Sequence, residues 1–169
     1  MIIVLNGPLG IGKSTLAEAL SESMDYCVML DGDHLIAANP PAPDPLEHLH
    51  STIALLIQHH RRFGYRSFVV NHLWTEPHEL ADLRERLRSI DDDFHAFLLM
   101  LPREENLRRI AARASVRALD EREHDREAFE RESRLLANRQ DVGEPFDVSA
   151  PPAVLVQRML RRLRVSSGS

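Results

Sequence analysis

The sequence predicts an α/β fold built on a five-stranded parallel sheet with helices on both faces. Short apolar runs alternate along the chain with longer segments of helical periodicity, and this alternation is typical of right-handed crossovers between parallel strands. A glycine-rich turn stands between the first apolar run and the first helical segment. The chain of 169 residues shows no internal repeat and no long linker. We therefore expect one domain over residues 1–165 and a disordered tail over 166–169.

Five short segments rich in apolar residues are predicted as strands, because buried parallel strands appear in sequence as continuous apolar runs. They are residues 2–6, 26–32, 66–74, 94–101 and 145–150. Sheets of this type bind ligands at the carboxyl ends of their strands. That rule selects the loops after residues 6, 32, 73 and 149.

The segments between the strands carry apolar residues at helical spacing, as Leu80, Leu83 and Leu87 show. A proline-rich stretch, 39–45, is predicted as a loop, and Gly64 is predicted as a C-terminal helix cap. The predicted helices are residues 13–24, 46–64, 76–90, 102–119, 120–140 and 152–165.

The composition excludes some classes of protein. A net charge of −5 argues against a general nucleic-acid or membrane-surface binder, which would normally be basic. Cys27 is the single cysteine, so no internal disulfide is expected, and no Cys/His pattern has metal-site spacing. No apolar run reaches the roughly 20 residues of a membrane span, and the first residues lack the basic start of a signal peptide. We expect a cytoplasmic monomer or homodimer with no nucleic-acid or membrane partner.

Residues 7–14 fit the pattern G-x-x-x-x-G-K-[ST], with a predicted strand before it and a predicted helix after it. In such a P-loop, main-chain N–H groups and the positive end of the helix bind phosphates. A lysine at this position bridges the β- and γ-phosphates, and the next hydroxyl ligates Mg²⁺. The alternative is a chance match in a turn. The motif predicts ATP and Mg²⁺ as cofactors, bound by Gly7, Leu9, Gly10, Ile11, Gly12, Lys13, Ser14 and Thr15.

The P-loop and the segment LDGDHL, residues 30–35, give the chain its resemblance to a known group. The segment is similar to the D-x-D or L-D-G-D-x-L element of small P-loop kinases, a group that includes shikimate kinase, gluconate kinase, adenylylsulfate kinase and chloramphenicol phosphotransferase. The N-K-x-D element of GTPases is missing. The resemblance implies the P-loop NTPase fold with a helical lid near 113–130. It also implies ATP-dependent transfer of the γ-phosphoryl group to a hydroxyl of a small-molecule acceptor.

The same resemblance implies roles for the residues near the second and third strands. Asp33 would position the acceptor hydroxyl or take its proton, and Asp31 would assist it or hold Mg²⁺ together with Ser14. If the two carboxylates are close, each should raise the pKa of the other, with Mg²⁺ or Lys13 offsetting this. The predicted acceptor site consists of Asp31, Asp33, His34, Asn71 and His72.

Each of these assignments has a structural alternative. The Asp-Gly step is equally typical of a turn that caps a helix at Asp33. Asn71 departs from the acidic residue that related kinases often carry there, and Trp74 suits either an acceptor pocket or core packing. Alternation along a strand sends neighbours to opposite faces, so the side chains of this stretch cannot all point into one site.

Arginines crowd the region after the fourth strand, where the resemblance implies a lid. Arg117 is predicted to stabilise the transferred phosphoryl group, with Lys13 and Asp33 as the other catalytic residues, and Arg113 to bind the nucleotide. Arg139 is a further candidate for the phosphates. The alternative is a solvated helix face with i,i+4 ion pairs. The resemblance also implies that Ala150 and Pro151 border the adenine, although the same residues suit a helix start.

Two other functions stay open. A nucleoside monophosphate kinase would need arginines near residues 34–45, which contain none, so Arg61, Arg62 and Arg66 would have to serve instead. A nucleotide-binding regulatory protein with little turnover is the alternative suggested by Asn71.

Overall fold

A computed structural model shows the sheet that the sequence predicts. It describes residues 1–102, 104–106, 108, 131, 134, 135 and 137–166. Five parallel strands lie in the order β2-β3-β1-β4-β5. They are β1 (Ile2–Asn6), β2 (Cys27–Asp31), β3 (Ser67–Asn71), β4 (Phe94–Met100) and β5 (Glu144–Asp147). The predicted α/β class and the five parallel strands are therefore confirmed, with strands that are mostly shorter than predicted.

Helices pack on both faces of the sheet. The helices within the described ranges are α1 (Lys13–Glu22), α2 (Gly32–Leu35), α3 (Pro45–Arg61), α4 (Pro77–Arg88) and α5 (Pro152–Ser166). Most of the two predicted helices over 102–119 and 120–140, the predicted lid near 113–130 and residues 167–169 lie outside the described residues. None of the described helices is both long and apolar enough to cross a membrane.

Helices α2 and α3 differ from the prediction for local reasons. The short helix α2 was predicted only as an alternative, and its N-cap is Asp31 rather than Asp33. Helix α3 begins one residue earlier than predicted, because proline is tolerated in a first helical turn. It ends at Arg61, where i→i+3 hydrogen bonds form a tighter turn before Gly64.

Alternating side chains of the strands form two separate cores. Ile3, Leu5 and Val69 face α1 and α5, whereas Val4 and Phe68 face α3 and α4. All residues of β1 are buried, as expected for the central strand of a parallel sheet. Each fully buried aliphatic side chain stabilises the fold by about 1.5–3 kcal/mol, so these two layers hold the strand ends in place.

A buried polar network crosses the core between α3 and α4. The imidazole of His50 is fully buried and has a partner on each ring nitrogen. The indole Nε1–H of Trp74 donates to Nε2 over 3.0 Å, and Nδ1 lies 2.7 Å from Oδ2 of Asp82. An indole N–H can only donate, so Nε2 carries the lone pair and Nδ1 carries the proton. His50 is therefore neutral in this network, and burial lowers its pKa although Asp82 opposes the shift.

We expect His50 to make the protein sensitive to acid. Its pKa is lowered in the folded state, so below about pH 6.5 the unfolded chain binds more protons and the free energy of unfolding falls. The neighbouring charged groups are Asp82, Arg86 and His72. The substitution His50→Gln keeps an acceptor for the indole and a donor for Asp82 but does not titrate. Between pH 7.5 and 5.5, the wild type should lose roughly 2–4 °C more in melting temperature than this variant.

Thermal unfolding at the two pH values measures this difference. His59→Gln, at an exposed position of the same helix, is the matched control and should keep the wild-type acid sensitivity. Equal losses in the wild type and in His50→Gln would show that His50 does not titrate in this range.

Candidate functional site

The P-loop leaves the end of β1 and closes at the start of α1. Gly12 is the N-cap of α1 with φ +104°, a left-handed conformation that L side chains rarely adopt. A Cβ on Gly7 would lie 3.2 Å from the main-chain oxygen of Leu99 and from the side chain of Ile11. Gly7 is therefore required because other parts of the chain approach it closely. Gly12 is required because its backbone is left-handed.

Lys13 folds back over its own loop. Its Nζ donates to the carbonyl oxygens of Gly7 at 2.8 Å and of Pro8 at 3.1 Å. Burial lowers the pKa of this ammonium group to about 8, while the carboxylates of Asp33 and Asp31 oppose the shift. A cation that is partly desolvated and close to two carboxylates is suited to a polyanionic ligand, since the phosphates would favour its charged form.

Ser14, Asp31 and Asn71 meet where α1 faces the ends of β2 and β3. The hydroxyl of Ser14 donates to Oδ2 of Asp31 over 3.0 Å. Nδ2 of Asn71 donates to the same Oδ2 at 2.9 Å and lies 3.3 Å from Oγ of Ser14. Asn71 is 1% exposed, and its Oδ1 is buried without a hydrogen-bond partner.

This oxygen-rich cluster fits a hard cation. Mg²⁺ in phosphate-binding sites takes one or two protein oxygens and completes its shell with phosphate and water. Ser14 and Asp31 supply a hydroxyl and a carboxylate, and Nδ2 of Asn71 donates to that carboxylate. Across the described ranges there is no cluster of three or more His, Cys, Asp or Glu side chains of the kind that holds a metal by itself. The residues present therefore suit an ion that binds together with the phosphates of a nucleotide.

Asp33 pairs with His72, the residue that directly follows β3. Nδ1 of His72 lies 2.8 Å from Oδ1 of Asp33 and donates its proton to that carboxylate. This hydrogen bond is the largest cause of the lowered pKa of Asp33, with smaller contributions from Lys13 and Arg131. The sequence predicted that the two carboxylates raise each other's pKa, and for Asp33 that expectation is wrong because the imidazole stabilises the ionised form.

Alternation along β3 separates the two clusters, as the sequence predicts. Asn71 lies on the side of α1 with Ser14 and Asp31, and Asp31 is itself a member of the predicted acceptor site. His72 lies on the other side, with Asp33. Trp74 is fully buried and belongs to the core rather than to a pocket wall. His34 is exposed on α2.

A cavity of about 310 Å³ lies beside the P-loop. Its walls come from the start of α1 and from the loop between β5 and α5, and they are mostly apolar. Ala150 and Pro151 lie in this wall next to Thr15, so these three predicted nucleotide-binding residues share one cavity. The remaining lining residues are Ile11, Gly12, Leu16, Val148, Ser149, Pro152 and Leu155.

The arginines after β4 fall partly outside the described residues. Arg113 and Arg117 lie outside the described residues. Arg108 forms an ion pair with Glu105 at 2.8 Å, which agrees with the alternative of a solvated helix face for this residue. Arg139 is exposed in the turn that precedes β5. Arg131, which the sequence reasoning did not single out, is close enough to Asp33 to lower its pKa.

Sequence reasoning also missed Asn6, the last residue of β1. Its side chain is fully buried and makes four hydrogen bonds to main-chain groups. Oδ1 accepts from the N–H of Gly7 at 2.8 Å and of Trp74 at 3.0 Å. Nδ2 donates to the carbonyls of Trp74 at 2.8 Å and of Val142 at 3.1 Å. An amide directly before the motif was the available signal, but its partners are distant in sequence.

Comparison with known proteins gives a family for most of the chain. A family model described as an AAA domain matches residues 2–138. A search among curated proteins finds no match.

Several solved structures share the fold. The tunicamycin resistance protein of Deinococcus radiodurans superposes with a TM-score of 0.69 at 19% identity, covering 96% of this chain and 94% of that one. A shikimate kinase of Bacteroides thetaiotaomicron gives 0.67 at 16% identity, covering 97% and 98%. A gluconokinase of Sinorhizobium meliloti 1021 gives 0.63 at 20% identity, covering 98% and 93%. These matches confirm the fold that the sequence predicts.

We expect the substitution Asn6→Ala to destabilise the whole domain. It leaves the four buried main-chain groups without their partner, and each unsatisfied group costs about 1–3 kcal/mol. Even with partial relaxation, a loss of about 3 kcal/mol is expected, which corresponds to a fall of roughly 10 °C in melting temperature. Gln58→Ala removes an exposed amide from α3 and should change the melting temperature by less than about 2 °C. Equal melting temperatures for the two variants would contradict this role of Asn6.

Proposed function

The chain belongs to the AAA-domain family of P-loop proteins, and from that premise we propose that it is an ATP-dependent phosphotransferase. In this proposal it moves the γ-phosphoryl group of ATP to a hydroxyl of a small-molecule acceptor. One observation carries the proposal: Asp33, with its imidazole partner, stands next to the Lys13–Ser14–Asp31 group. A protein that only binds nucleotide has no need of a second carboxylate so placed.

The P-loop residues would hold the triphosphate. Main-chain N–H groups at the start of α1 point toward an anion, and the helix dipole adds its positive end. Lys13 would exchange its contacts with the carbonyls of Gly7 and Pro8 for contacts with phosphate oxygens. A charge-assisted hydrogen bond to a phosphate is stronger than one to a neutral carbonyl, so this exchange favours binding.

Ser14, Asp31 and Asn71 would hold Mg²⁺ and its water. When bound, the ion neutralises charge on the phosphate oxygens and orients them. Oδ1 of Asp31 also accepts a hydrogen bond from the main-chain N–H of Asp33 over 3.1 Å. The two oxygens of Asp31 therefore connect the cation cluster to the turn that presents Asp33.

Asp33 would receive the acceptor. Its side chain is 68% exposed, so an entering hydroxyl can reach it. The hydrogen bond from His72 keeps the carboxylate ionised, and an ionised carboxylate is an acceptor for a hydroxyl proton. Most of the rate enhancement would come from holding this hydroxyl in line with the phosphoryl group.

The cavity beside Thr15 is the proposed site for the adenine. Its volume of about 310 Å³ is at the lower end of the range for ligand pockets. Its walls are mostly apolar, which suits a flat aromatic base, and the cavity lies next to the P-loop that would bind the phosphates.

Two variants test the separate roles proposed for Lys13 in ATP binding and for Asp33 in phosphoryl transfer. Lys13→Ala should abolish ATP binding, because the ammonium group is lost. Asp33→Asn should leave ATP affinity within about twofold of the wild type but lower phosphoryl transfer at least about a hundredfold, the contribution of a positioned base. Calorimetry with an ATP analogue and a screen for ATP consumption over hydroxyl-bearing acceptors measure the two effects. His59→Gln is the surface control.

The screen also separates the rival functions. Turnover with phosphorylated acceptors alone would favour a nucleoside monophosphate kinase. The absence of turnover with every acceptor tested would favour a regulatory nucleotide-binding protein. Unchanged transfer in Lys13→Ala would overturn the assignment of the P-loop itself.

ATP binding should weaken as the pH rises. The pKa of Lys13 is about 8 in the free protein, so most of the ammonium groups are charged at pH 7 and only a small fraction at pH 9. Since the phosphates require the charged form, the dissociation constant for an Mg²⁺-saturated ATP analogue should rise about tenfold between these values. Lys13→Ala should bind weakly at both. A dissociation constant that stays the same from pH 7 to pH 9 in the wild type would contradict this.

A further inference from the structure

Trp74 stands between two histidines that belong to different parts of the molecule. Its Nε1–H donates to the buried His50. The edge of its ring system meets the imidazole of His72 at 5.2 Å between centroids, with the planes at 80°. Edge-to-face pairs of this kind are favourable and have a defined geometry. The indole therefore connects a buried polar network to the residue that contacts Asp33.

The buried end of this arrangement is firmly held. His50 donates from Nδ1 to Asp82, and Asp82 also accepts from Nε of Arg86 at 2.7 Å. Arg86 in turn forms two hydrogen bonds with the carboxylate of Glu47 at the start of α3. The orientation of His50, and through it that of the indole, is thus set by side chains of both α3 and α4.

His72, at the other end of this arrangement, has little room to move. A Cβ on Gly32 would lie only 2.8 Å from Cβ of His72 and 2.9 Å from its Cγ. His72 is therefore confined between the backbone of α2 and the indole of Trp74. Among the described residues, His72 is the only hydrogen-bond donor to the side chain of Asp33, and that side chain is otherwise largely exposed.

We propose that Trp74, held by His50 and Asp82, is a positioning residue for phosphoryl transfer: it fixes the imidazole of His72, which orients the carboxylate of Asp33. This inference rests on the proposed function and deepens it. Trp74 is fully buried and acts only through its neighbours. Loss of the indole N–H frees the ring to turn, His72 follows, and the hydrogen bond to Asp33 lengthens or breaks. A carboxylate without that restraint samples orientations that are unproductive for a bound hydroxyl.

Three substitutions remove different links of the network. Trp74→Phe keeps an aromatic ring but loses the donor. His50→Leu loses the acceptor. Asp82→Ala, at a partly exposed position, releases His50 with less risk to folding. All three should lower kcat, by about tenfold to a hundredfold for the first two, and leave the KM for ATP unchanged. His50→Gln, which keeps an acceptor and a donor, should restore near wild-type kcat.

A core variant gives a second measurement. Met159→Ala, a core substitution on the opposite face of the sheet, should lower the melting temperature without lowering kcat in the way that the three network variants do.

A third measurement does not require any reaction. ¹⁵N NMR of the His72 ring at pH 8 reports which nitrogen carries the proton. The wild type should show Nδ1–H as the dominant form, and Trp74→Phe and Asp82→Ala should show a mixture of the two tautomers. If no acceptor is phosphorylated by any of the proteins, the proposed function fails, while the NMR spectra still decide on the positioning.

The proposal is overturned if the three variants keep the wild-type His72 spectrum and, where turnover exists, the wild-type kcat while only their melting temperatures fall. That result would mean that the network stabilises the core and does not orient Asp33.

Discussion

The positions of the P-loop and of the segment that carries His72 depend on the four hydrogen bonds of Asn6. One fully buried amide satisfies the N–H of Gly7, both main-chain groups of Trp74 and the carbonyl of Val142. The loop after β1, the segment after β3 and the segment before β5 are thereby held at one point. Backbone groups in such a place would otherwise be buried without partners, which is costly in the absence of water. The P-loop thus starts at a fixed position relative to the segment that carries His72.

The pleat at the end of β3 sends Asn71 and the residue after it, His72, to opposite sides of the sheet. Successive residues of a strand point to opposite faces, so Asn71 joins Ser14 and Asp31, while His72 joins Asp33. The sheet thereby keeps the Ser14–Asp31–Asn71 group and the Asp33–His72 pair adjacent but distinct. In the proposed mechanism, the first group serves the phosphates and the second serves the hydroxyl. Their separation follows from strand geometry.

The parts predicted from the sequence are those encoded within a few neighbouring residues. The P-loop, its flanking strand and helix, and the position of Asp33 after β2 follow from local pattern, and the fold follows from alternating elements. The long-range contacts could not be predicted. Asn6 reaches partners 68 and 136 residues away, and His50 meets Asp82 across 32 residues. Nothing in the local pattern distinguishes His50 from the other histidines of α3, because burial depends on how α3 and α4 pack together.

Some local predictions also failed for physical reasons. The sequence treats Asp31 and Asp33 as a pair of repelling carboxylates, yet each has its own partner, and Asp33 is stabilised in its ionised form by His72. A histidine on a neighbouring strand cannot be assigned to a carboxylate without knowing the strand order. That order, with β3 between β1 and β2, is itself a property of the folded chain.

The two oxygens of Asp31 have a consequence for how such a protein can change. One accepts from Ser14 and Asn71, and the other caps the turn that carries Asp33. A substitution of this carboxylate would therefore disturb the contacts with Ser14 and Asn71 and the turn that presents Asp33 at the same time.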